Sequence, residues 1–414
     1  MPHTLRARAL PLLAVALTAL NLRTAVTGFT PLLDVVGADL GFGPGLYGVL
    51  GTTVTAGFAV LGLLSASLVR RTGLERAVAV AVALTTAGVT LRALSPGTAA
   101  LVASTVVAVA GIGLSNVLVI PLVKRYFSDH LKAMSSLYIA LLQVGQFVAP
   151  LLALPVAVAA GWRWAVGLWA VPTGVAVVLW LVVAARAARA TGGDGAVGQD
   201  GVAGSATPVA PARLQGAWRT PLLWSLVLMM GMTSLNVHAI FTWLPSVLVD
   251  AGADPASGGA LLALFSVLGL PAAFVVPPLA IRLRNPFPVV AVCTALMTVG
   301  YVGLLVAPAA GAVVWVVALG LGVSTFPLCL TLVNARTRTT TGSTVLSGAM
   351  QGLGYAVASI GPLGVGLLRT TTDGWGAPFA VLFVSLVVLL GAGVVACRPS
   401  TLEDQVRRRE LVDA

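Results

Sequence analysis

Charge is what this 414-residue sequence has least of. Only 9% of its residues are charged, thirteen of them Asp or Glu, against roughly 25% in an average soluble domain. A chain of this length cannot cover a water-facing surface with so few, so lipid must be its outer solvent. Cysteine and histidine are scarcer still in number, three of each. Cys293, Cys329 and Cys397 lie far apart in or beside apolar stretches, which excludes a disulfide framework or a thiolate metal site and leaves them as small buried apolar residues. Paired carboxylates, metal-spaced ligands and nucleophile–base pairs are missing too. That argues against a membrane enzyme and leaves no metal or cofactor to expect. No G-x-x-x-x-G-K-[ST] segment occurs, which argues against ATP drive.

What is present is apolar: 58% of residues are hydrophobic and 46 are glycine, the small residue that lets membrane helices approach closely. A hydrocarbon core of about 30 Å needs about 20 apolar residues per helix. Runs that meet this fall at 10–33, 47–69, 77–94, 99–123, 135–158 and 164–185, then at 221–249, 259–281, 288–307, 312–333, 343–368 and 378–396. The expected fold is an all-α integral membrane protein with twelve transmembrane helices in two pseudo-symmetric six-helix bundles. Its parts are a first bundle over 1–188, a Gly-, Ala- and Asp-rich linker within 189–219, a second bundle over 220–397 and a tail over 398–414. The first apolar run continues past Asn21–Arg23 without a convincing cleavage site, so it reads as a retained span rather than a signal peptide.

The net charge of +11 tests this map. With the N-terminus inside, twenty of the twenty-four Lys and Arg fall in inside segments, three (Arg92, Arg163, Arg369) in outside loops, and Arg23 within a span. That asymmetry places both termini in the cytoplasm of an inner or plasma membrane. Clusters such as Arg70, Arg71, Arg76, Lys124 and Arg125 read as topology determinants, with no nucleic-acid partner implied.

The halves repeat one another at offsets of 209 to 215 residues. Asn21-x-Arg23-x-x-x-Thr27 matches Asn236-x-His238-x-x-x-Thr242, and Gly111-x-Gly113-x-Ser115 matches Gly320-x-Gly322-x-Ser324. Arg70 matches Arg282, and Pro150 matches Pro362. Duplication of this kind is the mark of a secondary transporter.

These features, together with Asn21–Val26, Ile120–Phe127, Gly161–Trp169, Trp243-Leu-Pro245, Gln351–Tyr355 and Gly361-Pro362, resemble the major facilitator superfamily. Within it they resemble the cyanate-transporter branch, which includes nitroimidazole exporters. The resemblance spans nearly the whole chain. It implies the superfamily's fold and transport of a cyanate-like anion. One departure is Arg70, which stands three residues before Gly73 where the superfamily's loop signature would place Asp.

Membrane depth makes certain side chains expensive and therefore informative. An arginine at the centre of a span costs about 2.5–3.5 kcal/mol and keeps its charge. Arg23 is the one so placed, near the middle of the first run; Asp34, the acidic residue nearest in sequence, lies eleven residues on, roughly 16 Å along a helix. Arg23, Thr27 and Thr30 share a helical face, with Asn21 nearly opposite. Two readings fit Arg23: a central cation for an anionic or electron-rich solute, or a guanidinium bonding the carbonyls of a kinked helix. His238 stands at the matching place in the second half, sharing a face with Ser234 and Thr242. It is either a substrate or proton-coupling group or a hydrogen-bonded histidine between helices.

Asn116 is a ligand or an interhelical hydrogen bond. Gln143, Gln146 and Pro150 form one polar arc and Gln351, Tyr355, Ala358 and Pro362 another, as lining of a wet cavity or as packing. Trp162, Trp164 and Trp243 read as interfacial anchors, and Gly348-x-x-x-Gly352 as a helix-contact motif. The candidate substrate-binding set is therefore Arg23, Thr27, Asn116, Gln143, Gln146, His238, Thr242, Gln351 and Tyr355, with His238 as proton-coupling candidate. The function expected is alternating-access transport of a small polar or anionic solute. Cyanate-like uptake, efflux of nitroimidazole-like or other toxic compounds, and a non-transporting sensor stand as alternatives. The partners expected are that small molecule and the lipid bilayer, with monomeric or oligomeric state left open.

Overall fold

The computed structural model of the protein describes residues 2–191 and 216–413; most of the linker expected at 189–219 lies outside the described residues. Among the described residues, twelve helical segments are long and apolar enough to cross a membrane. In chain order they are span 1 (Ala9–Leu40), span 2 (Pro44–Leu61), span 3 (Leu74–Ala93), span 4 (Thr98–Val123), span 5 (Leu137–Ala160) and span 6 (Trp162–Arg189). Then come span 7 (Pro221–Asp250), span 8 (Ala256–Arg282), span 9 (Phe287–Val306), span 10 (Ala312–Ala335), span 11 (Val345–Thr372) and span 12 (Gly376–Ala396). Their number and order are those expected from the apolar runs. Valines such as Val158, Val306 and Val387 stay exposed on the helices, as they must where lipid is the solvent.

Five spans are interrupted rather than continuous. Span 1 is a helix to Thr27, a 3-10 turn over Thr30–Leu32 and a second helix over Leu33–Leu40, ended by Gly41 at φ 73°. Span 6 breaks after Gly167, span 8 at Leu268, span 10 at Val323–Ser324 and span 11 at Ser359. Such breaks survive at membrane depth only where other groups take up the freed backbone polar atoms.

Packing divides the described residues into two units, 2–41 with 60–191 and 42–59 with 216–413. In the first unit span 1 lies against spans 4, 5 and 6, and span 3 against spans 4 and 6. Small residues bring the backbones close: a Cβ on Gly88 would collide with Ala108, and one on Gly111 with Thr85 and Ala81. Trp180, fully buried, pins span 6 to span 1 by donating from Nε1 to Thr18 Oγ1 at 2.9 Å. In the second unit span 7 is the hub, packing on spans 8, 10, 11 and 12. Asn236 on this span accepts from the Tyr301 hydroxyl (2.7 Å) and donates to Ser385 Oγ (2.8 Å), tying spans 7, 9 and 12 together.

A sequence-based boundary at 188 places all of span 2 in the first half, whereas its first part, 42–59, packs with the second unit. The cause is local. Gly48 and Gly51 offer no side chain, so Gly48 meets the Pro362 carbonyl and Gly51 meets Thr242 and Pro362. Thr52 then donates to Ser359 O at 2.8 Å, the carbonyl at the break in span 11.

One further reading needs correction. Gly348 and Gly352 have nothing near their missing side chains; the close contact with span 7 runs instead through Gly354, against Met230 and Gly231, and Gly361, against Leu235. Within the tail expected over 398–414, Leu402–Asp413 is a helix with Leu402 and Val406 buried. Glu403 anchors it by accepting from Arg338 N, Thr339 N and Thr339 Oγ1 at 2.8–3.1 Å, while Asp404 pairs with Arg338 at 2.9 Å.

Burial alone would raise the Glu403 carboxyl, but these hydrogen bonds outweigh it and hold it below its ordinary 4.5. A folded-state value below the unfolded one contributes stability above the unfolded value and loses it as pH falls through the folded one. The tail contact should therefore weaken as the pH drops below about 4.5. Thermal unfolding of wild type and Glu403→Gln across that window checks this: the wild type's advantage at neutral pH should shrink on acidification, and a constant gap would refute it.

Candidate functional site

Span 1 in the first unit carries the membrane-embedded arginine. Its Asn21 face is buried and self-satisfied: Asn21 Nδ2 donates to Leu17 O (2.8 Å), and Asn21 Oδ1 accepts from Thr24 Oγ1 (3.1 Å). Arg23 sits on the other side, half-buried, with its carbonyl accepting from Thr27 Oγ1 at 3.1 Å. Thr27 is thus buried and turned onto its own helix. The helix ends there, so the Arg23, Thr27, Thr30 face expected from a wheel does not continue: Thr30 lies in the 3-10 turn and donates to Val26 O.

In an unbroken helix the Ala25 carbonyl would accept from Phe29 N, yet Phe29 N bonds Val26 O instead. Arg92 fills the gap. Its Nη1 donates to Ala25 O at 2.6 Å, and its guanidinium lies 4.6 Å from the centre of the Phe29 ring. The sequence-based map puts Arg92 in an outside loop. It is instead in the last helical turn of span 3 and 2% exposed. The apolar run 77–94 already contained Arg92, but the charge tally assigned it to the loop that follows.

Span 5 supports the same level of span 1. A Cβ on Gly145 would collide with Leu20 O and press on Thr24, so the two backbones touch one turn before Arg23. Gln143 and Gln146, both half-buried, flank that glycine. Asn116 on span 4 is also half-buried.

In the second unit span 7 presents His238, half-buried, with Nδ1 2.8 Å from Ser234 O. A carbonyl only accepts, so Nδ1 carries the hydrogen. Phe58 and Tyr355 surround it edge-on, with ring centres 6.5 and 6.3 Å from the imidazole and 5.8 Å from each other, the arrangement the ring quadrupoles favour. Thr242, one turn on, is buried against Gly51. Tyr355 is buried, whereas Gln351, one turn before it, is exposed and donates to Ser347 Oγ at 2.9 Å. Of the candidates in this unit, His238 and Tyr355 come together as an aromatic cluster; Gln351 stands apart from it.

The tryptophans also differ from an interfacial reading. Trp243 is 3% exposed and donates to Pro362 O at 3.0 Å. Trp162, also buried, donates to Asp39 at 2.9 Å, where Arg163 pairs at the same distance. Only Trp164 of the three is exposed. The second unit has an analogous arrangement: Asp250, at the end of span 7 as Asp39 is near the end of span 1, accepts from Trp375 (3.0 Å) and Arg369 (2.9 Å). Each half closes one end of its first span with an Asp–Arg–Trp group.

This duplicated twelve-span fold has a match among protein families. The model of the Major Facilitator Superfamily covers residues 13–362. The chain belongs to that superfamily. Among its relatives in the superfamily are an uncharacterised transporter, YycB, of Bacillus subtilis (strain 168), 28% identical over 99% of this chain and 98% of that one. The 2-nitroimidazole transporter of Escherichia coli (strain K12) is 28% identical over 91% and 92%, and the cyanate transport protein CynX of the same organism 26% over 88% and 91%. Solved structures of transporters share the fold at low identity. The nucleoside transporter NupG aligns with a TM-score of 0.74 at 10% identity over 94% of this chain and 99% of that one. A D-xylose–proton symporter aligns with a TM-score of 0.66 at 13% over 97% and 98%. The protein is thus a superfamily transporter of a small solute and not an enzyme. Among the described residues no group of three His, Cys, Asp or Glu side chains is arranged to hold a metal ion.

Proposed function

We propose that the transported solute is a small anion of the cyanate type, taken up by alternating access, with Arg23 as its electrostatic contact. The observation that carries the reading is the position of Arg23: a half-buried guanidinium inside span 1, one turn before the helix breaks at Thr27. A fixed cation at membrane depth is costly unless it serves a pathway, and a relative with 26% identity over most of the chain is named for cyanate transport. The basic residues further favour a cell-membrane location with both termini cytoplasmic. Labelled cyanate counterflow in proteoliposomes tests it. Exchange stimulated by cyanate on the opposite side supports the proposal; exchange with neutral nitroaromatics but none with cyanate overturns it.

A second reading, efflux of flat aromatic solutes, draws on the Phe58–His238–Tyr355 cluster, whose ring edges suit stacking, and on the 2-nitroimidazole relative. Under either reading His238 is the group proposed to set pH dependence. Tyr355 is the titratable side chain in ring contact with it. His238→Gln should flatten the transport rate across roughly pH 6 to 8, where imidazole titrates, with less effect on apparent affinity. An unchanged pH profile would make the histidine purely structural.

A further inference from the structure

A groove on the first unit lies away from Arg23 and its neighbours. It is an open groove bounded by spans 3 and 6, with a volume of about 600 Å³. Its walls are two helical stripes: Ala79, Val80 and Ala83 on span 3, and Val177, Leu181, Ala184, Ala185 and Ala188 on span 6. The spacings follow the helical repeat, so each stripe is one face. The alanines project little from the helices, and the stripe on span 6 runs roughly 16 Å along the helix.

Arg71, Thr72 and Arg76 close one end. Both guanidinium side chains belong to exposed residues, and among the described residues neither forms an ion pair. The acid between them does not pair with them: Glu75 is buried and held by Arg125 at 3.0 Å and the Tyr126 hydroxyl at 2.9 Å. An apolar groove that ends in two cations without ion pairs among the described residues has one complementary occupant in a bilayer.

We infer that this groove binds an anionic phospholipid, its phosphate between Arg71 and Arg76 and one acyl chain along the alanine stripes. Basic pockets between transmembrane helices hold acidic head groups by the same physics. The site is distinct from solute recognition, and the inference stands whichever solute is carried.

Native mass spectrometry of the purified full chain, with phosphatidylglycerol and phosphatidylcholine of matched chains, tests it. Wild type should retain phosphatidylglycerol preferentially. Arg71→Gln/Arg76→Gln should erase that preference, by roughly fivefold per guanidinium removed. Ala185→Phe, at an exposed groove position, should lower retention of both lipids while leaving the charges in place, and gives the answer if the double variant misfolds. Equal retention of the two lipids by wild type overturns the inference. So does equal binding of the water-soluble head group alone, which would make this a free-anion site, or a lipid-free dimer occupying the groove with a second copy.

Discussion

Arg23→Ala should reach the membrane, unfold near the wild-type temperature and lose anion counterflow. Arg23 is half-buried and follows the close contact of Leu20 with Gly145. The neighbouring hydrogen bonds do not depend on its side chain: Asn21 bonds Leu17 and Thr24, and Thr27 bonds the Arg23 backbone. Truncation therefore leaves the helix ladder intact. What it removes is the charge proposed to meet the solute, and losing one member of a desolvated, hydrogen-bonded charge pair costs about 2–5 kcal/mol. The expected loss is at least roughly thirtyfold in exchange rate at limiting substrate. Arg23→Lys, a point charge without the planar fork, should recover part of it. Wild-type exchange by Arg23→Ala would remove this residue from the mechanism.

Arg92→Met should behave differently, failing first in stability. The break in span 1 frees Ala25 O, and Arg92 Nη1 supplies its hydrogen bond at 2.6 Å while stacking over Phe29. Methionine keeps much of the apolar stem but leaves a buried carbonyl unsatisfied, at about 1–3 kcal/mol. A lowered unfolding temperature in detergent is expected, with transport reduced in proportion to folded protein. Arg92→Lys keeps a donor and should fall between. Unfolding of Arg92→Met at the wild-type temperature would show that the break is held by other contacts.

The comparison of these two arginines shows what a linear sequence carries. Twelve spans were legible because lipid imposes one rule on every helix, length and apolarity. The Asn21/Asn236 and Arg23/His238 correspondence was legible because duplication preserves spacing. Arg92 was not, since an arginine two residues before a span's end has the same sequence context whether it meets solvent or folds inward onto Ala25. Helix breaks escaped for the same reason: Thr27–Gly28, Leu268–Gly269 and Ser359 sit in continuous apolar runs without a decisive stop signal. The Gly348–Gly352 spacing satisfied a contact motif, but Gly354 and Gly361 make the contact, since which face meets span 7 is decided by tertiary packing. The tail helix Leu402–Asp413 is strongly charged, and its stability comes from Glu403 bonding a distant loop, a partner that spacing does not name.

The most direct test of the central claim is ligand-induced stabilisation of purified wild type and Arg23→Gln by cyanate, read as unfolding temperature against concentration. A ligand at a hundred times its Kd stabilises the folded state by about 2.7 kcal/mol. Wild type should shift upward and saturate, whereas Arg23→Gln, at the same starting stability, should not shift. Equal shifts in both proteins, or none in wild type, would contradict the assignment of Arg23 as the anion's contact.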